Sequence, residues 1–524
     1  MDLHYHPALS NYDILLNIFE QFRLRGNSSA TSRHTLAACA RVCKTFSDPA
    51  LSILWRRIDS LLVLLKLLEP TLRRVGGKQN EPYCLHGELL PTQFSRFQKH
   101  ASYIRTTDLA DTSNLIDPTV FMYLAHLNHG RPILPALQQF SWFQSIPVTA
   151  QLTSIVPKSL RDLYLHLGHR NGGMSDKAFT TQIIALLRLL TLELPFLETL
   201  AVFGDCHPSY IFPIAGFHQL CSLVLERWRY PLTFHQPKGL SGLERSSDLI
   251  EATKLITTTG AALATISTPA RFQTLEELEV LTDLEEGTVL FAIMSAPMLR
   301  SLDLTFRSCV ESKKFRRFLD FVCPKLTSCS HITLDVRLSH DAESQLLMYI
   351  LTPLLMLKDL QSIAVHVPSF PPDLSLSDQD ISHLAMAWPR AKAITLDYHC
   401  SSPPPLSSLI HFAQHCPDLK SLSLSRMDFS LAANSQQSYP MLSHGLIRLN
   451  IYQYRPITEP LAAAQFLDRI FPNLDSKLFR TPLVYIKGDD TWPALVDSLD
   501  ALKSARECES VQKAAADRNL DSSK

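Results

Sequence analysis

Chemistry needs particular side chains at particular spacings, and this sequence offers few. His411 and His415 stand four residues apart, a helical spacing that can hold a metal, and Cys416 follows them. No carboxylate stands at ligand spacing, and the pair lies on a segment running into Pro417, so a solvated or core-packed pair is the reading adopted. His166 and His169 form a similar pair. Cys39 and Cys43 fall at the spacing of one helix face, where small buried hydrophobes account for them. There is no P-loop, G-x-G-x-x-G, H-E-x-x-H or G-x-S-x-G, and Gly is only 16 of 524 residues, which disfavours phosphate-cradling loops. The expectation is a chain that is not an enzyme and needs no cofactor and no metal.

What remains is a set of polar and acidic residues that only strands would bring together. The pattern L-x-x-L-x-L returns along the chain, usually just after a Pro. Its copies begin at Leu160, Leu197, Leu220, Leu275, Leu299, Cys329, Leu360, Ala391, Leu419 and Leu446. Most starts lie 23 to 31 residues apart, which brackets a repeat period of roughly 20 to 29. The gap from Leu220 to Leu275 is about two periods, so a degenerate repeat or an insertion is expected at Pro231 to Pro269. Amphipathic runs precede the copies: Phe291 to Met294, Phe315 to Val322, Ile381 to Ala385 and Leu409 to Ala413. Each ends at a Pro, which cannot continue a helix and biases the residue before it away from the α region. The unit is therefore helix, Pro stop, short strand, and stacked units give parallel strands buried against their helices.

Strand alternation sends the Leu, Ile and Val residues inward and their neighbours to the opposite face. The outward set includes Asp162, Tyr164 and His166; Glu277 and Glu279; Asp303; His331, Thr333 and Asp335; Thr395 and Asp397; and Arg448, Asn450 and Tyr452. The middle of this face carries acids and no Lys or Arg. It reads either as a solvated face or as a surface selecting a basic or mixed-charge partner. In the second case Tyr164, Tyr452 and Tyr454 are aromatic anchors, and Glu277, Glu279, Asp303, Asp335, Asp397 and Arg448 are the polar contacts.

Composition sets the outer bounds. The chain is 46% hydrophobic and 19% charged, a folding composition. Lys+Arg and Asp+Glu both number 50, so no global charge argues for nucleic acid or a membrane surface. Eleven cysteines without a C-x-x-C pair, and no apolar leader within Met1 to Tyr12, point to free thiols in a reducing cytoplasmic or nuclear compartment. Leu61 to Leu68 is apolar but far short of the roughly 20 residues of a membrane span, and reads as a buried helix.

The N-terminal stretch explains the rest. Leu9, Ile14, Leu15, Ile18, Phe19 and Phe22 follow one helix face, with Ser10 and Asp13 arranged like a capping box. After a polar loop from Arg25 to Arg33, a second periodic run starts near Thr35 with Leu36, Cys39, Val42, Cys43 and Phe46. Asp48-Pro49 then opens a third helix, whose apolar face is Leu51, Leu54, Trp55 and Ile58. This stretch resembles the F-box, the helical module that docks on the Skp adaptor of cullin–RING ubiquitin ligases. The matching residues are Leu9, Ile14-Leu15, Ile18-Phe19, Val42-Cys43-Lys44, Phe46, Asp48-Pro49 and Leu54-Trp55, while Ser10 replaces the usual Pro. The segment PTQFSRFQKHASYIRTTDL is similar to the stretch C-terminal to the F-box in many fungal F-box proteins, and the array resembles the leucine-rich repeats often found C-terminal to F-boxes.

The resemblance implies an α/β architecture: a three-helix F-box, then a leucine-rich-repeat-like solenoid with parallel strands and a concave binding face. The expected divisions are an F-box over 1–60, a helical linker region over 61–130, the solenoid over 131–492, and a capping helix and tail over 493–524. It implies a substrate-recognition subunit of a cullin–RING ligase, with the Skp adaptor and an unidentified protein substrate as partners. Adaptor contacts would come from Leu9, Ile14, Leu15, Ile18, Phe19, Leu36, Val42, Cys43, Phe46, Leu54 and Trp55. The rival reading is a leucine-rich-repeat interaction scaffold with no ligase role.

Overall fold

The computed structural model describes residues 11–22, 29–74, 81–109, 115–144, 151–167, 176–228, 269–339, 346–368, 374–400, 402–430, 441–442, 444–454, 457–475 and 491–521. The expected insertion at Pro231 to Pro269 lies almost wholly outside them. The chain divides into two compact units, Met1–Leu275 and Glu276–Lys524.

In the first unit three helices come first: α1 (Tyr12–Glu20), α2 (Ser29–Cys39) and α3 (Lys44–Leu54). The sequence expectations miss each start. Asn11, not Ser10, caps α1, its side-chain oxygen accepting from the Asp13 and Ile14 amides. Ser10 itself lies outside the described residues. Half of α2 falls in the supposed polar loop, because a polar helix surface carries no apolar period to betray it. Helix α3 begins five residues before Pro49, which sits buried inside it. The Asp48 carboxylate, expected at a helix cap, instead accepts from the Tyr103 hydroxyl and pairs with Lys99 Nζ at 3.0 Å. Leu15, Phe19, Leu36, Ala50 and Ile53 form the core of the three helices, and Phe46 packs edge-on against Phe19.

Parallel strands come next, and the region 61–130, expected as a helical linker, holds the helices Leu61–Leu65, Pro91–Ala101 and Pro118–Leu127 among its described residues. Strand β1 (Arg57–Ile58) pairs directly with β4 (Thr106–Leu109), so the sheet begins at the end of α3. Between them lie the buried Leu61–Leu65 helix, an antiparallel hairpin of β2 (Leu72–Arg74) and β3 (Tyr83–Leu85), and the helix Pro91–Ala101. From β4 the sheet runs in order through β5 (Gln139–Gln144), β6 (Asp162–Leu167), β7 (Thr199–Cys206) and β8 (Ser222–Trp228), all parallel. The short strand β9 (Ala270–Arg271) closes the unit's chain.

The second unit repeats the theme. Strands β10 (Glu277–Thr282), β12 (Ser301–Val310), β13 (His331–Leu338), β14 (Ser362–Val367), β15 (Ala393–Tyr398), β16 (Ser421–Met427) and β17 (Arg448–Tyr454) are consecutive parallel neighbours; β11 (Met294–Ser295) is a short strand after the first helix. Every one of the ten motif copies falls on a strand, and helices such as Ser312–Val322 and Asp378–Ala387 stop at the Cys-Pro and Trp-Pro steps. Two strands carry the same spacing in disguise: Leu137, Phe140 and Trp142 for β5, and Ile104, Thr107 and Leu109 for β4.

A backbone device locks repeat to repeat. The carbonyl of the residue just before or at a strand start accepts two amides from the next repeat. Arg105 O takes Gln138 N and Gln139 N, and Gln138 O takes Arg161 N and Asp162 N. In the second unit Arg300 O takes Ser330 N and His331 N, and Gln361 O takes Lys392 N and Ala393 N. Where it occurs, the step satisfies two backbone donors independently of side-chain identity. Inward residues of the strands, such as Leu302, Leu304, Ile394 and Leu396, are essentially inaccessible. Each contributes about 1.5–3 kcal/mol of apolar burial. The final helix Thr491–Asp521 packs its Trp492, Leu495 and Leu499 inward, with Trp492 edge-on to Phe429. No helix among the described residues is long and apolar enough to cross a membrane.

Candidate interaction surfaces

The proposed adaptor residues divide sharply by exposure. Leu15, Phe19 and Leu36 are at most 3% exposed and serve the module's own core, so they have no surface to offer. Phe46, Leu54 and Trp55 are half-buried. The exposed members are Ile14, Ile18, Val42 and Cys43, and Tyr12 joins them. Leu9 lies outside the described residues. Residues at i and i+4 on α1 place Ile14 and Ile18 on one helix face.

The module is held firmly to the first repeats. Burial and the Asp48 carboxylate push the Tyr103 hydroxyl up to about 12, and that hydrogen bond in turn holds Asp48 below the usual carboxylate range. Trp55 meets the His100 ring edge-on at 4.7 Å, and Arg56 O accepts from Arg105 N at 2.8 Å. Burial also holds His100 below its ordinary value, so its neutral ring serves as a packing surface.

In the second unit the helix-free face is laid out by register. One row across the strands reads Glu277, Ser301, His331, Ser362, Ala393, Ser421 and Arg448. The next reads Glu279, Asp303, Thr333, Ala364, Thr395, Ser423 and Asn450. A third brings Asp335, His366 and Asp397 side by side. The expected acids therefore do converge, and His366, which strand alternation would also have pointed outward, sits among them. Its Nδ1 lies 3.5 Å from an Asp397 oxygen. The hydrogen bond to Asp397, with the charges of Asp397, Asp335 and Asp303, raises His366 against the opposing effect of burial. Asp303 is raised by partial burial first, then by Glu279 and Asp335. Tyr452 lies at the far end of the face, half-buried, and the Tyr454 side chain is outside the described set.

The face is less purely acidic than the sequence reading has it. Strands β12 and β13 run on past the motif and bring Arg307 and Arg337 beside the acids. Arg307 is neutralised by Asp283 at 3.0 Å and Glu286 at 3.4 Å, next to the register shift after Thr305. The second unit thus shows a mixed-charge surface with an acidic centre.

In the first unit the same face is aromatic. Tyr164 stands outward on β6 between Ser141 and Ala201. One row further along, Phe143, His166, Phe203 and Glu226 are register neighbours on four adjacent strands. Phe143 and Phe203 escaped the sequence reading because the first belongs to an aromatic version of the motif and the second comes just after its last motif residue. At the opposite, leading edge of these strands, a groove of about 500 Å³ is lined by Arg105, Gln138, Arg161, Phe196 and Glu198. Its Arg161 is already paired with Glu198. Among the described residues no group of three or more His, Cys, Asp or Glu is arranged to hold a metal; His411 instead faces Asp378 at 3.4 Å.

No protein-family model and no curated protein matches the chain. Among solved structures, the crystal structure of the Rad7 and Elc1 complex in yeast is similar at 13% identity and a TM-score of 0.30, over 73% of this chain and 87% of that one. The crystal structure of the TLR13-ssRNA13 complex is similar at 14% identity and a TM-score of 0.31, over 75% of this chain and 50% of that one. At such scores neither likeness carries weight for what this chain does, and the surfaces must be read on their own chemistry.

Proposed function

We propose that this chain is a protein-interaction scaffold built from helix–strand repeats, and that it acts as the substrate-recognition subunit of a cullin–RING ubiquitin ligase. The repeats, of leucine-rich-repeat type, hold a protein substrate against their helix-free faces. The N-terminal helices, an F-box by resemblance, dock on the Skp adaptor. The observation that carries the reading is an exposed apolar set on a module held rigidly against the repeats. Apolar Ile14 and Ile18 stay exposed on one face of α1, as does Val42 after α2, on a module clamped to the first repeats through Asp48, Tyr103, Lys99, Trp55 and His100. An exposed apolar set of this kind is what a partner interface needs. A rigid clamp is what a presenting subunit needs, because proximity without orientation gives little.

The test is co-purification with the Skp adaptor, comparing the wild type with a chain carrying Ile14→Asp, Ile18→Asp and Val42→Asp. Capture by the wild type and loss in the variant is the expected result. No capture by a folded wild type overturns the ligase role and leaves the scaffold alone. Charge reversal of Glu279, Asp303 and Asp335 to Lys tests the other end, and is expected to abolish substrate capture while adaptor capture survives.

A further inference from the structure

We infer that the row Phe143, His166, Phe203 and Glu226 on the first unit is a receptor for an arginine side chain of the protein partner. The inference rests on the reading of the repeats as a partner-binding surface, and names what one part of that surface holds.

The geometry begins with register. Parallel pairing sets these four residues side by side on β5, β6, β7 and β8, with neighbouring strands about 4.8 Å apart. All four point away from the helices and are half-buried. The His166 and Phe203 rings lie nearly parallel, with centroids 4.5 Å apart and planes at 16°. His166 Nε2 is 3.2 Å from the Ser141 hydroxyl, which fixes the ring's direction. The result is a short stacked shelf: His166 covers one face of Phe203, and the other face is turned toward β8, where the row ends in the Glu226 carboxylate.

Charge selects the occupant. Among the outward residues of β5 to β8 whose side chains are described, the acids are Asp162 and Glu226, and none is a Lys or Arg. A nucleic acid stacked on the rings would bring phosphates toward the Asp162 and Glu226 carboxylates, and the described outward residues of these strands offer none of the basic groups such binding relies on. A guanidinium suits every feature. Its plane stacks on aromatic faces, the ring quadrupole attracts its charge, and its fork of donors matches a carboxylate. On this shelf an arginine stacked on the second face of Phe203, the one turned toward β8, would have Glu226 within reach.

The experiment uses the full chain and fluorescence anisotropy with a short labelled peptide containing arginine. The companion peptide replaces arginine by citrulline, its uncharged isostere. The arginine peptide is expected to bind and the citrulline peptide to bind far less. Phe203→Leu, which keeps apolar volume but removes the ring, and Glu226→Gln are each expected to weaken binding about fivefold, the size of a partly exposed cation–π contact. Phe203→Tyr is expected to retain it. Undiminished binding by both Phe203→Leu and Glu226→Gln overturns the inference. If the arginine peptide is instead lost on reversing Glu279, Asp303 and Asp335, the shelf is wrong while the partner-binding reading stands. A wild type that does not distinguish arginine from citrulline also overturns the inference, and adaptor capture then judges the wider reading separately.

Discussion

Replacing Gly204 strains both its own backbone and the strand beside it. The glycine lies in β7 at φ +112°, where the pairing with β8 shifts register between Phe203 and Cys206. A Cβ added there stands 2.7 Å from the Leu167 carbonyl oxygen and 3.1 Å from the Leu167 Cβ. Leu167 belongs to the adjoining strand β6, so relief requires moving a paired backbone. The φ region costs an L-residue about 1–3 kcal/mol, and the forced overlap about 1–3 kcal/mol more. The stiffer unfolded chain of alanine returns about 0.4–1 kcal/mol. Gly204→Ala should therefore destabilise the first unit by about 3 kcal/mol. Two other glycines act as controls for the separate contributions. Gly130 has φ +73° with nothing within 4 Å of an added Cβ, so Gly130→Ala should cost about 1 kcal/mol of backbone strain alone. Gly287 lies in the helix Leu284–Ile293 with Thr282 Cγ2 3.3 Å away. There alanine's helix preference of about 1 kcal/mol offsets the tight contact, and the net change should be near zero. Urea denaturation gives the free energies, and amide exchange on β6 and β7 locates the effect. A Gly204→Ala chain as stable as Gly130→Ala would refute the reasoning.

Other expectations rest on burial and charge. Leu15→Ala should cost the helical module about 2–5 kcal/mol, because Leu15 is 1% exposed in its core. Ile18→Ala, at 47% exposure, should cost under about 1 kcal/mol; helix melting by circular dichroism separates them. Tyr103→Phe removes the hydroxyl that Asp48 accepts and should loosen the clamp by about 1 kcal/mol after allowance for solvent screening. Because the folded Asp48 is depressed below its ordinary 3.8, that contribution is present above this pH and is lost as pH falls through the lowered value. The folded His366 is raised above 6.5, so its contribution is complete below 6.5 and disappears as pH rises through the folded value. His366→Gln should flatten that slope in denaturation midpoints taken across neutral pH, and an unchanged slope would remove His366 as its source.

Much of the repeat architecture was legible because one spacing serves two needs. Leu163 and Leu165, or Ile394 and Leu396, must alternate inward, and a Pro must stop the helix before them. Both requirements are local and leave marks in the chain. Strands β4 and β5 were harder to see because Thr107, Phe140 and Trp142 fill inward places that aliphatic residues hold elsewhere. The helix boundaries were poorly legible for a related reason. The first half of α2 is polar, and Pro49 reads as a helix start until tertiary packing buries it within α3. Of the candidate surfaces, Glu279, Asp303, Asp335 and Asp397 came from alternation alone, whereas only the register of neighbouring strands sets His366 beside Asp335 and Asp397 and puts Phe143 and Phe203 in one row with His166.

By itself the sequence determined the helix–strand unit, its parallel stacking and the side of each strand that faces the core. These come from periodicities of 3.6 and 2 and from the missing amide of proline. Only the tertiary structure decided which members of an apolar set are spent inside and which remain on the surface. Leu15 and Ile18 belong to the same helix and are equally apolar, yet one is sealed by Phe19, Leu36 and Ile53 while the other stays exposed. Hydrophobicity drives burial without direction, so the choice between a core residue and a docking residue is made by what packs beside it.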